Sequence, residues 1–354
     1  MRRPSGGGFL RAGSGQETGD QVLDHDADGD LRPDQMLIVV PALNEDAHIV
    51  ACLASLLVPT GPTVIVADGG STDRTRALVA ALQAGHPHLH LIDNPARLQS
   101  AGINAAVAGH AAPGHRVLVR CDAHAVYPPG YAVRLAAAMT RHGTAAVVVP
   151  MDATGDSAFA RAAAWVVDTP LGSGGSAHRG GRRSGLVDHG HHAAMDLDWF
   201  RRIGGYDPGF SHNEDAEFDH RLRQAGGQIW LDAAIRLDYH MRPSLQALAR
   251  QYWNYGRGRA RTLAKHRLRP RLRQVIPVLN LAGMAVALLL APVWPWALLW
   301  PLAYLAGLAA VSITGACRLG QAAGLWAGPA LSAMHNAWAA GFVWQMTVRQ
   351  GRAP

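Results

Sequence analysis

Asp122 and His124 place a carboxylate and an imidazole two residues apart, shortly after the apolar run 117–119. Alternate residues leaving the end of a strand point in the same direction, so these two side chains can converge on one point. Carboxylate and imidazole together suit Mn²⁺ or Mg²⁺, whose remaining ligands are often phosphate oxygens of a substrate. The alternative is an aspartate that caps a turn beside a surface histidine. The pair is therefore a candidate divalent-metal site.

Other acidic residues also stand at the predicted ends of strands and helices. Asp68 follows the apolar run 63–67 and precedes a turn of glycine and serine. An acid in that position can hydrogen-bond a nucleobase or ribose, and a helix N-cap is the competing interpretation. Glu214 and Asp215 open an amphipathic segment. Asp215 is a candidate general base for a substrate hydroxyl, and the alternative is that both acids complement the positive end of a helix.

The segments between these residues alternate between apolar runs typical of buried strands and amphipathic runs typical of helices. Strands are predicted at 36–41, 63–67, 88–92, 116–119 and 145–150, and helices at 75–84, 100–108, 131–139 and 195–203. This order predicts an α/β fold with a mostly parallel sheet, and ligands bind at the carboxyl edge of such sheets.

Residues 169–190 are rich in Gly, Ser, His and Arg, and we interpret them as a mobile binding loop. Histidines at 189, 191 and 192 have no cysteine partners and no His-x-x-x-His spacing, which disfavours zinc. Gly256 to Arg259 are interpreted as a turn that follows an aromatic segment.

The charge of the chain is concentrated in one segment. The net charge is +7, and residues 250–273 alone hold nine Arg and Lys and no acidic residue. The rest of the chain is therefore close to neutral, which disfavours nucleic-acid binding. Because the basic segment runs directly into an apolar region, it suits anionic lipid headgroups or a lipid pyrophosphate.

The C-terminal part of the sequence has the composition of a membrane region. Residues 275–312 are nearly uncharged and form two apolar stretches around a proline- and tryptophan-rich turn, each near the ~20 residues that span a bilayer. A third apolar segment covers 324–348. Two crossings keep Arg318 in the cytosol with the basic segment, whereas three would place Arg349 outside. We predict two spanning helices and an interfacial or re-entrant third helix.

These patterns divide the chain into four parts. They are a disordered tail at 1–35, an α/β catalytic domain at 36–249, a basic juxtamembrane segment at 250–273 and a membrane region at 274–354. We expect a multi-pass protein of the inner (plasma) membrane with its catalytic domain in the cytosol.

Several motifs occur together in a fixed order. They are 39–45 (VVPALNE), 66–73 (VADGGSTD), 122–124 (DAH), 204–207 (GGYD) and 213–215 (NED). This series resembles the family 2 inverting glycosyltransferases over roughly Met36 to Tyr255. Residues 172–179, 187–192 and 252–259 are similar to the succinoglycan-type exopolysaccharide glucosyltransferases of that family.

The resemblance implies the GT-A fold, a nucleotide-sugar donor and a divalent metal, Mn²⁺ or Mg²⁺. It places Asp215 as the catalytic base. The implied nucleotide-sugar contacts are Pro41, Glu45, Asp68 and Asp122. The implied metal ligands are Asp122, His124 and His240, and His124 departs from the aspartate that is commoner in the family. The implied contacts to the acceptor or its pyrophosphate are His178, Arg179, Glu214, Gln251, Trp253 and Arg257.

The reaction implied is transfer of one glucose from UDP-glucose to a polyprenyl-pyrophosphate-linked acceptor. Polymerising members of the family carry Gln-x-x-Arg-Trp, whereas Gln251 is followed at those places by Asn254 and Tyr255, which favours a single addition. The expected partners are the donor, the lipid-linked acceptor, membrane lipids and other exopolysaccharide transferases, but no nucleic acid. Two other functions remain open, a metal-dependent nucleotidyltransferase and a non-catalytic membrane scaffold.

Overall fold

A computed structural model describes residues 31–177, 179 and 181–350 of the chain. Most of the predicted tail, residues 1–30, lies outside the described residues, as does the predicted acceptor contact His178. The described part of that tail is structured, because Pro33–Gln35 form a single 3-10 turn and Leu31 packs against the main core.

Ten strands occur in the described residues. They are β1 (Met36–Ala42), β2 (Thr63–Asp68), β3 (Leu89–Asp93), β4 (Val117–Arg120), β5 (Ala146–Val149), β6 (Met151–Thr154), β7 (Gly185–Leu186), β8 (His191–Asp196), β9 (Ile229–Leu231) and β10 (Leu237–His240). The main sheet has the order β3-β2-β1-β4-β8-β5-β9-β7, and β10 pairs with β6 in a small second sheet. Strands β1 to β4 are parallel, as predicted, whereas β8 runs antiparallel to β4 and β5.

Helices flank and follow the sheet. They are α1 (Ile49–Leu56), α2 (Thr75–Gln83), α3 (Gln99–His110), α4 (Tyr131–His142), α5 (Ala158–Val167), α6 (Pro170–Ser173), α7 (Leu197–Arg202), α8 (Glu214–Gln224), α9 (Leu245–Lys265), α10 (Leu272–Leu290), α11 (Leu299–Leu319) and α12 (Ala327–Gln350). Alternate residues of β1 enter two different cores: Ile38 and Val40 pack on one face of the sheet, and Leu37 and Val39 on the other. Burial on both faces explains the continuous apolar sequence of this strand.

Two predicted boundaries differ from the structure. The helix predicted at 195–203 begins only at Leu197, because Met195 belongs to β8, where it pairs with Leu118 and Ala146. Asp196 then caps α7 by accepting a hydrogen bond from the backbone N–H of Trp199. The predicted loop at 169–190 contains α6 and the short strand β7, which pairs with β9.

The turn predicted at Gly256 to Arg259 is wrong, because these residues lie inside the continuous helix α9. The glycines allow close packing instead of a change of direction. A Cβ atom on Gly256 would lie 2.0 Å from the carbonyl oxygen of Trp338 in α12, and one on Gly341 would lie 2.2 Å from that of Trp253. Helix α9 thus joins the catalytic domain to α12 across a contact at backbone level.

Two helical segments, Leu272–Leu290 and Pro295–Leu319, are long and apolar enough to cross a membrane. Their side chains are largely exposed, as for Leu289, which is 78% accessible. Helix α12 packs against α9, α5 and the C-terminal half of α11 through small and apolar residues. The sequence therefore predicted the two apolar helices correctly.

The close contact between α9 and α12 generates a stability prediction. Replacing Gly256 with Ala places a methyl group against the α12 backbone, and overpacking of this kind typically costs about 1–3 kcal/mol. We expect a clear fall in the unfolding midpoint of the detergent-solubilised chain. Gly307→Ala is the matched control, because a Cβ there meets nothing within 4 Å. Equal midpoints for the two variants would contradict the packing described.

Candidate active site

The carboxyl ends of β1, β2 and β4 lie side by side, and Asp68 closes one of them. Its side chain is buried and accepts hydrogen bonds from the Ser71 hydroxyl at 2.5 Å, the Gly70 backbone N–H at 3.0 Å and the Arg76 guanidinium at 2.8 Å. Burial raises the pKa of Asp68, but the bonds from Ser71 and Arg76 outweigh it and lower the pKa. The ionised carboxylate of Asp68 therefore holds the turn that follows β2.

Asp122 follows β4 and lies beside an imidazole that was not predicted to be part of the site. Its Oδ2 is 3.4 Å from Nε2 of His191, the first residue of β8. Its Oδ1 is buried and makes no hydrogen bond. Burial raises the pKa of Asp122, but the positive charge of His191 and Arg120 outweighs it and lowers the pKa below its usual range.

His124 and Glu45 form a second contact at the same edge of the sheet. Nδ1 of His124 lies 3.3 Å from Oε1 of Glu45, which follows β1. The contact with Glu45 raises the pKa of His124, and burial opposes it. The predicted nucleotide contact Pro41 is buried within β1, in register with Ala67.

Arg120 connects the end of β4 to the start of α8. Its Nη2 donates to Gln99 Oε1 at 2.7 Å and lies 3.2 Å from Glu214 Oε1, and its Nε is 3.9 Å from Asp122 Oδ1. The side chain is only 5% exposed. Burial raises the pKa of Glu214, with Arg120 opposing and Asp215 adding to that effect. The two carboxylates predicted to act separately are thus held by one guanidinium group.

Asp215 is the second residue of α8 and lines the same cavity as Asp122 and Glu214. Its Oδ1 accepts a hydrogen bond from the backbone N–H of Ala216 at 2.7 Å. One turn later, Asp219 lies 2.5 Å from Nδ1 of His189, whose ring also lines the cavity. The predicted base and the predicted metal ligand Asp122 therefore line one cavity.

Glu217 anchors α8 to α9. Its buried carboxylate accepts hydrogen bonds from Arg221 at 2.8 Å and Lys265 at 2.6 Å and lies 2.9 Å from His266 Nε2. Burial raises the pKa of Glu217, but Arg221 and Lys265 outweigh it and lower the pKa from 4.5 to about 2. The ionised carboxylate of Glu217 is therefore the form that stabilises the folded chain.

A cavity of about 1160 Å³ joins these groups to the apolar helices α10 and α12. Acids and histidines from the segment after β4, from the region of β8 and from the start of α8 line it together with Gly172–Ser176 of the loop. Arg179 of the loop and four arginines that follow β10 also line it: Arg242, Arg250, Arg259 and Arg273. Its apolar lining includes Ile276 and Pro277 of α10 and Met334 and Trp338 of α12. One continuous space therefore reaches from the carboxyl edge of the sheet to the apolar helices.

The loop beside the cavity is bound to the start of α10. Arg271 donates to Asp188 Oδ2 at 2.7 Å, and Arg223 of α8 lies 3.1 Å from Oδ1 of the same residue. At the other end of the loop, Arg273 Nη1 donates to the Gly174 carbonyl at 3.1 Å.

The predicted acceptor residues separate into two groups. Arg179 and Gln251 line the cavity, as does Glu214. Trp253 packs its ring near Trp344 of α12, and Arg257 is exposed and donates to Gln345 at 3.4 Å. The structure therefore places Trp253 and Arg257 outside the large cavity, because they project from α9 toward α12.

The residues around Asp122 fit a divalent cation that is completed by ligand atoms. No group of three His, Cys, Asp or Glu side chains within the described residues could hold a metal by itself. The buried, unbonded Oδ1 of Asp122 is suited to a cation, and Mg²⁺ or Mn²⁺ commonly takes one or two protein ligands with phosphate and water completing its shell. His240, the other predicted ligand, lies on β10 with its Nδ1 3.9 Å from Asp156.

Comparison with known proteins identifies the family. Residues 37–204 match the profile of Glycosyl transferase family 2, and the chain belongs to that family. A relative is the succinoglycan biosynthesis protein ExoA of Rhizobium meliloti (strain 1021), 43% identical over 328 residues that make up 88% of this chain and 95% of the relative. The recognition of a family 2 glycosyltransferase from its motifs is confirmed.

The mannosyltransferase PcManGT from Pyrobaculum calidifontis, solved in complex with GDP-Man and Mn²⁺, has a similar structure. The TM-score is 0.56 at 19% identity, covering 90% of this chain and 91% of that one. At this identity the likeness establishes the fold alone. It confirms the predicted GT-A arrangement of the α/β domain.

The Glu217 contacts predict how stability depends on pH. A carboxylate whose folded pKa of about 2 lies below its ordinary 4.5 contributes stability above pH 4.5 and loses it as the pH falls toward 2. The contribution at neutral pH is on the order of 3 kcal/mol. Glu217→Gln should therefore have a lower thermal unfolding midpoint than the unaltered chain at neutral pH. Its midpoint should also fall less between pH 5 and pH 3. Asp198→Asn, at an exposed acid of α7, should retain the original pH dependence.

Proposed function

We propose that this glycosyltransferase is a membrane-bound inverting enzyme that adds one sugar, glucose from UDP-glucose, to a polyprenyl-pyrophosphate-linked acceptor during exopolysaccharide synthesis. The observation that carries this proposal is the cavity that joins Asp122 and Asp215 to the apolar helices α10 and α12. A water-soluble sugar donor would occupy only the polar end of this cavity, near Asp122 and Asp215. A lipid-linked acceptor would place its sugar at the polar end and its lipid at the apolar end. The name of the ExoA relative supports a role in succinoglycan-type biosynthesis.

Asp215 is the proposed base for the transfer. It removes the proton of the acceptor hydroxyl as that oxygen attacks the anomeric carbon, while the bond from that carbon to the diphosphate oxygen breaks and UDP leaves. Attack opposite to the leaving group inverts the anomeric configuration to a β-linkage. The neighbouring Glu214 is held by Arg120, which keeps the start of α8 fixed against the end of β4.

Asp122 is the proposed metal-binding residue. The imidazole of His191 contacts its carboxylate, and the imidazole of His124 acts on that carboxylate electrostatically. A divalent cation bound there would neutralise the charge that develops on the departing diphosphate. The Mn²⁺ in the structure of PcManGT supports the use of a divalent metal by this fold. His240 is a further candidate ligand from the family resemblance. Glu45 positions His124, and Asp68 positions the turn that follows β2 and could receive the nucleoside.

Helices α10 and α11 are the proposed membrane spans, placing the protein in the inner (plasma) membrane with the catalytic domain in the cytosol. The basic residues near the start of α10 support this orientation, since positive charge is retained on the cytosolic side. Membrane lipids and other exopolysaccharide transferases are then natural neighbours.

Replacing Asp215 with Asn tests the base. The amide retains the shape of the side chain but cannot accept the hydroxyl proton, and loss of a general base typically costs about 10²–10⁴-fold in rate. We expect glucose transfer to fall by that factor while UDP binding, measured by calorimetry, stays unchanged. Asp198→Asn is the control for removal of one negative charge. Full turnover by Asp215→Asn would refute the assignment.

Removal of divalent cations tests the metal proposal. We expect EDTA to abolish UDP release from UDP-glucose and Mn²⁺ to restore it, because the leaving diphosphate loses its counter-charge. Binding of Mn²⁺ to the chain with UDP, followed by electron paramagnetic resonance, should be lost in Asp122→Asn and kept in Asp156→Asn. Activity that is indifferent to EDTA would exclude a required metal.

A further inference from the structure

Two arginines of the cavity, Arg179 and Arg259, form no salt bridge with a carboxylate among the described residues. Arg179 Nη1 is buried and makes no hydrogen bond. Its guanidinium carbon lies 4.3 Å from the centre of the Tyr239 ring. Arg259 lines the same cavity one helical turn after Tyr255. Burial lowers the pKa of Arg259, with Asp215 opposing this effect and Arg273 and Arg271 adding to it.

Unpaired cations in such a place require an explanation. A buried charge without a partner is costly, and proteins normally pair it with a carboxylate or lose the charge. Arginine cannot lose its charge under ordinary conditions. Like charges at Arg271 and Arg273 add repulsion near Arg259. An anion supplied by a ligand would remove both costs at once.

Hydrogen bonds and helix geometry place the two arginines along one strip of the cavity. Gln251, Tyr255 and Arg259 follow each other at intervals of four residues, so they lie on one face of α9. Gln251 Nε2 donates to the hydroxyls of Tyr239 at 2.7 Å and Tyr255 at 3.0 Å. These bonds fix the Tyr239 ring against which Arg179 stacks. The strip is therefore built by named contacts and does not depend on loose surface side chains.

The rest of the cavity indicates what kind of anion fits. Asp122 would hold the metal that binds the phosphates of the donor in the proposed function. The arginine strip belongs to other elements, the loop and α9, and the cavity continues from it to Ile276 and Met334. A ligand there would carry its negative charge at the arginines and an apolar group at the helices. That combination describes a lipid phosphate, and a planar guanidinium pairs with phosphate oxygens in a bidentate manner.

We propose that Arg179 and Arg259 together bind the diphosphate group of the lipid-linked acceptor, at a site separate from the metal-bound diphosphate of the donor. The inference rests on the proposed function in taking the acceptor to be lipid-linked. It transfers the acceptor role expected for Arg257 to Arg259, because Arg257 is exposed and contacts Gln345 of α12. It also gives the acceptor a fixed point from which its sugar hydroxyl can reach Asp215.

Titration of the full-length, detergent-solubilised chain with farnesyl diphosphate tests the site. EDTA is present throughout, so that metal-dependent phosphate binding at Asp122 is suppressed. Arg179→Gln and Arg259→Gln should each weaken binding about 10–100-fold, since each removes hydrogen bonds from a charged donor. Arg257→Gln, two residues away on the same helix, should bind within about twofold of the unaltered chain. Arg259→Lys, which retains the charge, should bind farnesyl diphosphate more tightly than Arg259→Gln and less tightly than Arg257→Gln.

Three further arms identify the ligand. Inorganic pyrophosphate should compete with farnesyl diphosphate, whereas vesicles of phosphatidylglycerol should not compete better than vesicles of phosphatidylcholine. Competition by phosphatidylglycerol would overturn the proposal in favour of general binding to anionic lipid. Equal binding by Arg257→Gln and Arg259→Gln, whether strong or weak, would also overturn it. Unfolding midpoints of all variants establish that binding is compared between folded proteins.

The outcome is separable from that of the proposed function. If UDP-glucose is turned over but Arg179→Gln and Arg259→Gln leave the KM for the acceptor unchanged, the diphosphate site is wrong and the glycosyl transfer stands. If the arginine variants lose farnesyl diphosphate while no lipid-linked acceptor is glycosylated by the unaltered chain, the site stands and the proposed reaction is wrong.

Discussion

Arg120 is buried between the end of β4 and the start of α8, and the arrangement of the acidic residues depends on it. Asp122 and Glu214 come from elements that are distant in sequence, and two carboxylates in one cavity repel each other. A guanidinium group 3.2 Å from Glu214 and 3.9 Å from Asp122 offsets that repulsion. Arg120 thereby lowers the free-energy cost of packing the start of α8, which carries Asp215, against the edge of the sheet. The guanidinium also lies 5.8 Å from the centre of the Tyr206 ring, a face that favours cations.

The sequence determined much of the fold because its first half follows local rules. Strand β1 is buried on both faces, so it reads as an uninterrupted apolar run, and parallel strands separated by helices follow at short intervals. Asp68 and Asp122 could be placed at the carboxyl edge because each closely follows such a run. The apolar helices α10 and α11 were equally evident, since a membrane span is defined by length and composition.

The remainder depended on contacts between distant residues. Strand β8 enters the sheet between β4 and β5 in antiparallel orientation, and its sequence has no long apolar run. The pairing of β8 with β4 brings His191 to Asp122, and no local sequence pattern predicts this contact. Arg120 was likewise hidden, because a basic residue at the end of a strand usually points to solvent. Glycine is ambiguous in the same way: Gly256 permits a turn or a close helix crossing, and only the position of α12 distinguishes them.

The salt bridge from Arg271 to Asp188 and the hydrogen bond from Arg273 to Gly174 attach the first turn of α10 to both ends of the loop beside the cavity. On the proposed placement of α10 in the membrane, a helix whose depth is set by the bilayer is mechanically coupled to the loop that lines the cavity. Bilayer thickness and tension, which act on the tilt of such a helix, would then become variables of the active site. A chain cut before α10 would lose this coupling, so the α/β domain and the apolar helices form one functional unit.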